Sequence, residues 1–174
     1  MRRLKVLGTL LAGALMASGC EYRSTAHTSI HGQTGPVSRH VAGKPVSATL
    51  QLSHGAAKAG ETIELAVTID VAALWEIRTL DSEFAAAATK LELALPPGVE
   101  AKGEWQAPSP GRSVSGDGHP AYAGAVVFKR QLVVTRGARP GEQPIVCRAA
   151  YQACNEQQCL APAHVELAVN LRVE

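Results

Sequence analysis

The sequence predicts an all-β fold, an immunoglobulin-like sandwich of seven or eight mostly antiparallel strands. Apolar residues occupy every second position over residues 63–71, and the same alternation runs through residues 46–52. This period places one face of a strand on a core and the other face in solvent. Short apolar segments separated by glycine and proline follow along the chain, which is typical of a sandwich rather than of alternating strands and helices.

The remaining elements are predicted in chain order from the same signals. Further strands are expected near residues 75–80, 91–95, 99–105, 126–135, 145–153 and 165–173. The alanine-rich residues 81–89 predict at most one helical turn, which is too short to be stable alone. Residues 106–124 are rich in glycine and proline, and a loop of that length in a compact domain is usually functional or disordered. Residues 46–174 are expected to form one domain with a single core.

Residues 1–19 have the composition of a lipoprotein signal peptide rather than of a folded element. Arg2, Arg3 and Lys5 form a basic start, and the apolar run over residues 6–16 is too short to span a bilayer as a mature helix. Removing this leader lowers the Lys and Arg count from 17 to 14 against 15 Asp and Glu, so the net charge becomes 14 minus 15, or −1. Such a chain has no basic surface of the kind that nucleic-acid binding requires.

Cys20 is the predicted lipidation site. Residues 17–20 resemble a bacterial lipobox, so Cys20 would become the first mature residue and carry lipid. The alternative is ordinary cleavage, which leaves Cys20 as a free thiol. Two or more acyl chains hold a protein stably at a membrane, and residues 20–45 have little periodicity and predict a flexible tether. We therefore expect a protein of the cell envelope, anchored through lipid and facing the periplasm.

Cys154 and Cys159 are five positions apart at the expected tip of the last hairpin. A chain that turns back on itself can bring such residues within the roughly 4.4–6.8 Å between Cα atoms that a disulfide needs. One interpretation is a structural bridge, which contributes about 2 kcal/mol for so short a loop. The other is a redox-active pair, because a disulfide at a loop tip is accessible to an attacking thiolate. A zinc site would need two further ligands, for which Cys147 and His164 are the nearby candidates.

The register of the last two strands constrains these cysteines. If the apolar positions of both strands face one core, residues opposite each other must have numbers that sum to an even value. Cys154 and Cys159 sum to an odd value, so we expect a bulge or irregular turn between Ala153 and Pro162. On the same register Cys147 points into the core opposite about Val165 and stays a free buried thiol.

The cysteine segment resembles a known signature. Residues 151–154 read Tyr-Gln-Ala-Cys and residues 159–162 read Cys-Leu-Ala-Pro, with four residues between the cysteines. This is similar to the segment that closes the N-terminal periplasmic domain of the thiol:disulfide interchange protein DsbD, a disulfide bond corrector-like domain. The resemblance covers about residues 46–174. Weaker matches are residues 59–62, 74–77, 95–99 and 103–108.

The resemblance implies an immunoglobulin-like fold with a redox-active disulfide and no other cofactor. It implies Cys159 as the thiol that bonds a partner and Cys154 as the thiol that resolves the mixed disulfide. The implied partners are periplasmic thioredoxin-like proteins and a separate membrane reductase. Residues 106–124 lie where the family carries a cap over the pair. Three aromatic residues are candidate neighbours of the site: Trp105, Tyr122 and Tyr151.

The sequence also departs from the family. Glu76 and Arg78 stand where many relatives have histidine and tyrosine after the tryptophan of this segment. The chain ends at Glu174, without the electron-carrying membrane region or the thioredoxin-like domain of the transporter, so a separate protein is expected to reduce it. Two other classes stay open. One is an immunoglobulin-like envelope lipoprotein that binds a partner and keeps a structural disulfide, and the other is a metal-handling lipoprotein that uses the two cysteines and a histidine.

Overall fold

The computed structural model describes residue 35 and residues 37–174. These described residues contain thirteen strands and no helix. The strands are β1 (Val37–Val41), β2 (Val46–Leu52), β3 (Ala56–Ala57), β4 (Thr62–Val71), β5 (Glu76–Arg78), β6 (Lys90–Ala94), β7 (Val99–Gln106), β8 (Gly111–Arg112), β9 (Pro120–Tyr122), β10 (Gly124–Val134), β11 (Gly141–Tyr151), β12 (Ala153–Cys154) and β13 (Ala163–Val173).

The strands form three sheets. The first has the order β1-β2-β4-β10-β7, the second β3-β13-β11-β6, and the third, smaller sheet β12-β5-β9-β8. Neighbouring strands are antiparallel except for β3, which runs parallel to β13. The fold is all-β and sandwich-like, consistent with an immunoglobulin-like architecture, so the predicted fold class is confirmed.

Alternation within the longest strands builds the core. In β4, Ile63, Leu65, Val67 and Ile69 are buried between half-buried or exposed neighbours. Phe128 of β10 is fully buried in the same apolar cluster, which also takes in side chains of the second sheet. Both large sheets contribute side chains to this one cluster, as expected for a sandwich of two sheets packed face to face.

The first described strand, β1, lies within residues 20–45, which the sequence predicts to be a flexible tether. Val37–Val41 forms β1 and pairs with β2 at the edge of the first sheet, so the predicted tether boundary at residue 45 is wrong for these five residues. Val37 lies opposite Leu52, which in turn lies opposite Leu65 near the start of β4. The first described strand therefore starts at the end of the sandwich where β4 starts. The predicted signal peptide, Cys20 and the rest of the tether lie outside the described residues.

Residues 81–89 form turns, with one bond from the Ala88 N–H to the Phe84 carbonyl, and no helix is assigned there. Across residues 37–174, no helical segment has the length and apolar character needed to cross a membrane.

The core predicts a sharp contrast between two adjacent residues of β10. Phe128→Ala removes a fully buried ring that contacts Tyr122 at 5.4 Å between ring centroids, and we expect it to lower the free energy of unfolding by about 3–5 kcal/mol. Val127→Ala, on the exposed side of the same strand, should cost about 1 kcal/mol or less. Urea unfolding of both variants measures the difference, and equal losses would contradict the assigned strand faces.

Candidate functional site

Cys154 and Cys159 form a disulfide, with 2.07 Å between the sulfurs and 4.0 Å between the Cα atoms. The turn between them is organised by Asn155. Its side-chain oxygen accepts hydrogen bonds from the backbone N–H groups of Gln157 and Gln158, and its own N–H donates to the Gln158 carbonyl. Asparagine favours such turns because its side chain can replace a backbone acceptor. The turn is therefore closed by hydrogen bonds as well as by sulfur.

The predicted irregularity next to the pair is present at Gln152. The ladder between β11 and β13 ends with Tyr151 opposite Ala163, and Gln152 belongs to no strand. Beyond Gln152 the hairpin pairing resumes one residue out of step, with Cys154 opposite Cys159, and the other edge of β12 pairs with β5 of the third sheet. The Gln152 side-chain amide donates a hydrogen bond to the Leu160 carbonyl, which stabilises the chain at this irregularity. This confirms that the cysteines do not face each other within the unbroken hairpin ladder.

The two cysteines differ in exposure. Cys154 is 2% exposed, whereas Cys159 is exposed to solvent. Disulfide exchange requires the attacking thiolate to reach one sulfur while the other leaves. This geometry offers Cys159 to an incoming thiolate and makes Cys154 the leaving sulfur.

The third sheet separates its side chains onto two faces. Tyr122 lies opposite Ile77, and Ile77 lies opposite Ala153, and all three belong to the main apolar core. Alternate positions of a strand point the other way. Glu76, Arg78 and Cys154 therefore share the outer face, with Glu76 directly opposite Cys154. Cys154 is buried without belonging to the core cluster.

Residues 113–117 cover that outer face. The Ser113 hydroxyl donates to the Glu76 carboxylate at 2.6 Å, and the Val114 N–H donates to its other oxygen. Arg78 forms a two-point ion pair with Asp117, and its guanidinium also lies 3.7 Å from the Glu76 carboxylate. Glu76 is 1% exposed and Arg78 is 6% exposed. Buried charges persist only when they are paired and hydrogen-bonded, so these contacts fix the segment on the sheet.

A small apolar groove adjoins the disulfide turn. Leu74, Val114 and residues 155–157 line a cavity of about 170 Å³. Leu74 is 81% exposed and has a positive φ of 67° in a turn closed by the Trp75 N–H and the Ala72 carbonyl. A leucine in this region of backbone space costs on the order of 1 kcal/mol or more. An exposed, strained leucine beside the disulfide turn is more typical of a contact surface than of a structural turn.

The segment 106–124 is partly regular. It contributes β8 and β9 to the third sheet, and between them it supplies the residues that bind Glu76 and Arg78. In the sequence, Glu76 and Arg78 stand out only as departures from a family pattern, and their contacts with this segment are not predicted. A signal was available, because two charges two positions apart within an apolar strand must share one face and need partners if that face is covered.

The three candidate aromatic neighbours have different environments. Tyr122 is buried in the core side of the third sheet and packs edge-on against Phe128. Tyr151 is half-buried at the end of β11, and burial raises its pKa. Trp105 donates its indole N–H to the Leu91 carbonyl and lies beneath the Arg130 guanidinium, so its described contacts join β7 to β6 and β10.

Cys147 is a free thiol in the core, as the sequence predicted. It lies opposite Leu167 rather than Val165, so the predicted partner was two residues off. Burial raises its pKa to about 12. Among residues 37–174, no group of three or more His, Cys, Asp and Glu side chains is arranged to hold a metal ion.

Comparison with known proteins gives a structural likeness only. No family model matches the sequence, and no curated protein matches it. Among solved structures, the N-terminal periplasmic domain of ScsB from Proteus mirabilis superposes with a TM-score of 0.53 at 13% identity, over 81% of this chain. The matched region is 51% of that chain, so this protein spans about half of the ScsB structure. The GAE domain of GGA2p from Saccharomyces cerevisiae is 11% identical, with a TM-score of 0.44 over 78% of this chain and 97% of that one. The ScsB likeness supports a shared fold.

The Arg78–Asp117 pair predicts a pH-dependent part of stability. The hydrogen bonds from Arg78 hold the pKa of Asp117 well below its ordinary value of 3.8. A carboxyl whose pKa is depressed by folding stabilises the protein fully above its unfolded pKa, and this contribution is lost as the pH falls towards the folded pKa. The gap in unfolding free energy between wild type and Asp117→Asn should be constant above about pH 5 and shrink below about pH 4.

Urea unfolding at several pH values tests this. Asp70→Asn, at an exposed position of β4, is the matched control and should leave stability nearly unchanged throughout. A gap between wild type and Asp117→Asn that is the same at pH 3 and pH 7 would contradict the assigned ion pair.

The environment of Cys147 predicts an inert thiol. Only the thiolate reacts rapidly with alkylating reagents, and both burial and the raised pKa oppose its formation. Native protein treated with iodoacetamide at pH 8 should therefore leave Cys147 unmodified, whereas protein in urea should be modified there. Mass spectrometry of the peptide containing residue 147 reads both outcomes, and rapid native labelling would show that this strand opens.

Proposed function

We propose that this chain is a thiol:disulfide exchange module of the cell envelope. It passes reducing equivalents from a membrane reductase to thioredoxin-like partner proteins through Cys154 and Cys159. The observation that carries the proposal is the asymmetry of the bridge, since Cys159 is exposed and Cys154 is buried. Exchange chemistry needs one sulfur that a partner reaches and one that stays behind.

Reduction of the bridge proceeds in two balanced steps. A reductase thiolate attacks the Cys159 sulfur, the bond to Cys154 breaks, and Cys154 leaves as a thiolate that takes up a proton. A second reductase thiolate then attacks the reductase sulfur of the mixed disulfide and releases Cys159. The reductase gains a disulfide, and the pair gains two electrons and two protons.

Delivery to a partner reverses these roles. The Cys159 thiolate attacks a partner disulfide and forms a mixed disulfide, while the partner's other sulfur leaves and is protonated. Cys154 then loses its proton and attacks the Cys159 sulfur, which expels the partner thiolate. The internal bridge is restored, and the partner is reduced to a dithiol.

The turn suits repeated opening because sulfur is not its only closure. The hydrogen bonds of Asn155 and the bond from the Leu160 N–H to the Ala153 carbonyl close the turn without the sulfurs, so we expect them to persist when the bridge is reduced. In the chain-entropy model a loop this short gains only about 2 kcal/mol from its disulfide. Reduction therefore costs the fold little, which fits a bridge that cycles better than one that holds the domain together.

The location rests on three supports of different kinds. The leader and Cys20 predict export and lipid anchoring. The cysteine segment resembles a periplasmic domain family, and the ScsB structure is that of a periplasmic domain. We infer that the domain works in the periplasm, held to a membrane through its lipidated N-terminus.

A second candidate function is favoured by the groove at Leu74 and Val114. An immunoglobulin-like envelope lipoprotein could use this groove to bind a partner protein while the disulfide stays closed. In that case the bridge would shape the turn and would not exchange.

Titration in redox buffers separates these functions. The purified protein is equilibrated in glutathione or dithiothreitol buffers, its thiols are alkylated, and each cysteine is read by mass spectrometry. We expect a reversible two-electron transition confined to Cys154 and Cys159, with a potential above about −300 mV, the level below which structural disulfides usually fall. Cys154→Ser should collect glutathione on Cys159.

Cys147→Ala is the matched control and should leave the transition unchanged, because that thiol is buried in the core. A bridge that opens only when the domain unfolds would reject exchange and leave the partner-binding lipoprotein.

A further inference from the structure

We propose that Glu76 is a positioning residue that keeps Cys154 protonated in the reduced state, so that the thiolate resides on Cys159. This inference rests on the proposed exchange function and adds a cause for the division of labour between the two sulfurs. Glu76 stands where the family pattern has a different residue, so the assignment comes from the structure of this chain.

The pairing of β5 with β12 places Glu76 and Cys154 directly opposite each other. Directly opposed residues of an antiparallel pair point to the same face, with Cβ atoms roughly 4.5–5.5 Å apart. Both residues are nearly inaccessible to solvent, at 1% and 2% exposure. A carboxylate and a potential thiolate thus lie side by side on one buried face of the third sheet.

The Glu76 carboxylate is held in place by two hydrogen bonds. The Ser113 hydroxyl and the Val114 N–H each donate to one of its oxygens. These two contacts fix the position of the carboxyl group. They also prevent Glu76 from swinging towards solvent, where its field on Cys154 would be screened by water.

The other charged groups near this face leave the negative charge of Glu76 incompletely balanced. Arg78 lies 3.7 Å from the Glu76 carboxylate, but both terminal nitrogens of its guanidinium hydrogen-bond to Asp117. One guanidinium is thus shared by two carboxylates. Glu156, in the disulfide turn, is exposed and adds no positive charge.

A second anion at Cys154 is disfavoured in such a site for two reasons. A nearby like charge and the loss of water both oppose ionisation of a thiol. Neither operates at the exposed Cys159 with comparable force. In the reduced protein the proton therefore stays on Cys154, and Cys159 is the sulfur that attacks a partner disulfide.

The same charge affects the second step of delivery. Cys154 must lose its proton before it attacks the Cys159 sulfur and expels the partner. Glu76 slows that loss of the proton and therefore prolongs the mixed disulfide between Cys159 and the partner. The covering segment at Ser113 and Val114 thus tunes the chemistry through the carboxylate that it holds.

Thiol titration of the chemically reduced, purified protein tests the proposal. Iodoacetamide labelling of each cysteine is followed across pH by mass spectrometry, and the pH of half-maximal rate is found for Cys154 and for Cys159. In Glu76→Gln, which keeps the shape of the side chain and removes its charge, we expect the Cys154 midpoint to fall by about one pH unit. That shift makes Cys154 labelling about tenfold faster below the midpoint, since the reactive thiolate rises in proportion. Labelling of Cys159 should change less than about twofold.

Two control variants separate charge from coverage. Glu156→Gln removes the same charge from the exposed part of the disulfide turn and should leave the Cys154 midpoint unchanged. Val114→Ala trims the covering segment beside the disulfide turn but keeps the Glu76 charge and both of its hydrogen-bond donors, the Ser113 hydroxyl and the backbone N–H of residue 114. If Val114→Ala shifts the midpoint as much as Glu76→Gln does, burial rather than charge protects Cys154, and the proposal is overturned.

Asp117→Asn serves as a second variant should Glu76→Gln fold poorly. It releases Arg78 from Asp117, so that the guanidinium neutralises Glu76 more fully, and we expect a smaller downward shift of the Cys154 midpoint. An unchanged Cys154 midpoint in whichever of these two variants folds overturns the proposal. The assay uses reduced protein without a partner, so its outcome is distinct from failure of the redox titration, which would reject the exchange function itself.

Discussion

The shift of register at Gln152 is the constraint on which the site depends. Up to Tyr151 the last hairpin is paired in one register, and beyond Gln152 Cys154 lies opposite Cys159 while the other edge of its strand pairs with β5. This change turns Cys154 out of the main core and places it opposite Glu76. It also explains why the bridge can be buried on one side and exposed on the other, because one cysteine lies within a sheet and the other in the turn that follows.

The covering segment is held by charge rather than by apolar packing. Glu76 accepts hydrogen bonds from Ser113 and Val114 of this segment. Arg78 forms an ion pair with Asp117. Buried polar contacts of this kind contribute geometric specificity more reliably than net stability. Displacing a segment held in this way requires breaking these few polar contacts, whereas displacing an apolar lid would expose its whole buried area.

Sequence periodicity predicted the large sheets well, because β4 and the last hairpin are long enough for alternation to be unambiguous. The odd sum of the cysteine positions predicted the irregular turn. The pairing of the third sheet could not be predicted from the sequence, since its strands are only two or three residues long and pair across long separations in sequence. The β1 strand was missed for a related reason: it is a short edge strand, and none of its described side chains is fully buried.

The register of β1 gives the molecule a polarity. Val37 pairs near the start of β4, whereas Cys154 pairs with the strand that follows the end of β4, so the described chain enters at the end remote from the sulfurs. Ten residues of extended strand separate these ends by about 30 Å. The disulfide turn and the point where the described chain enters therefore lie at opposite ends of the sandwich, so a molecule bound at one end leaves the other accessible.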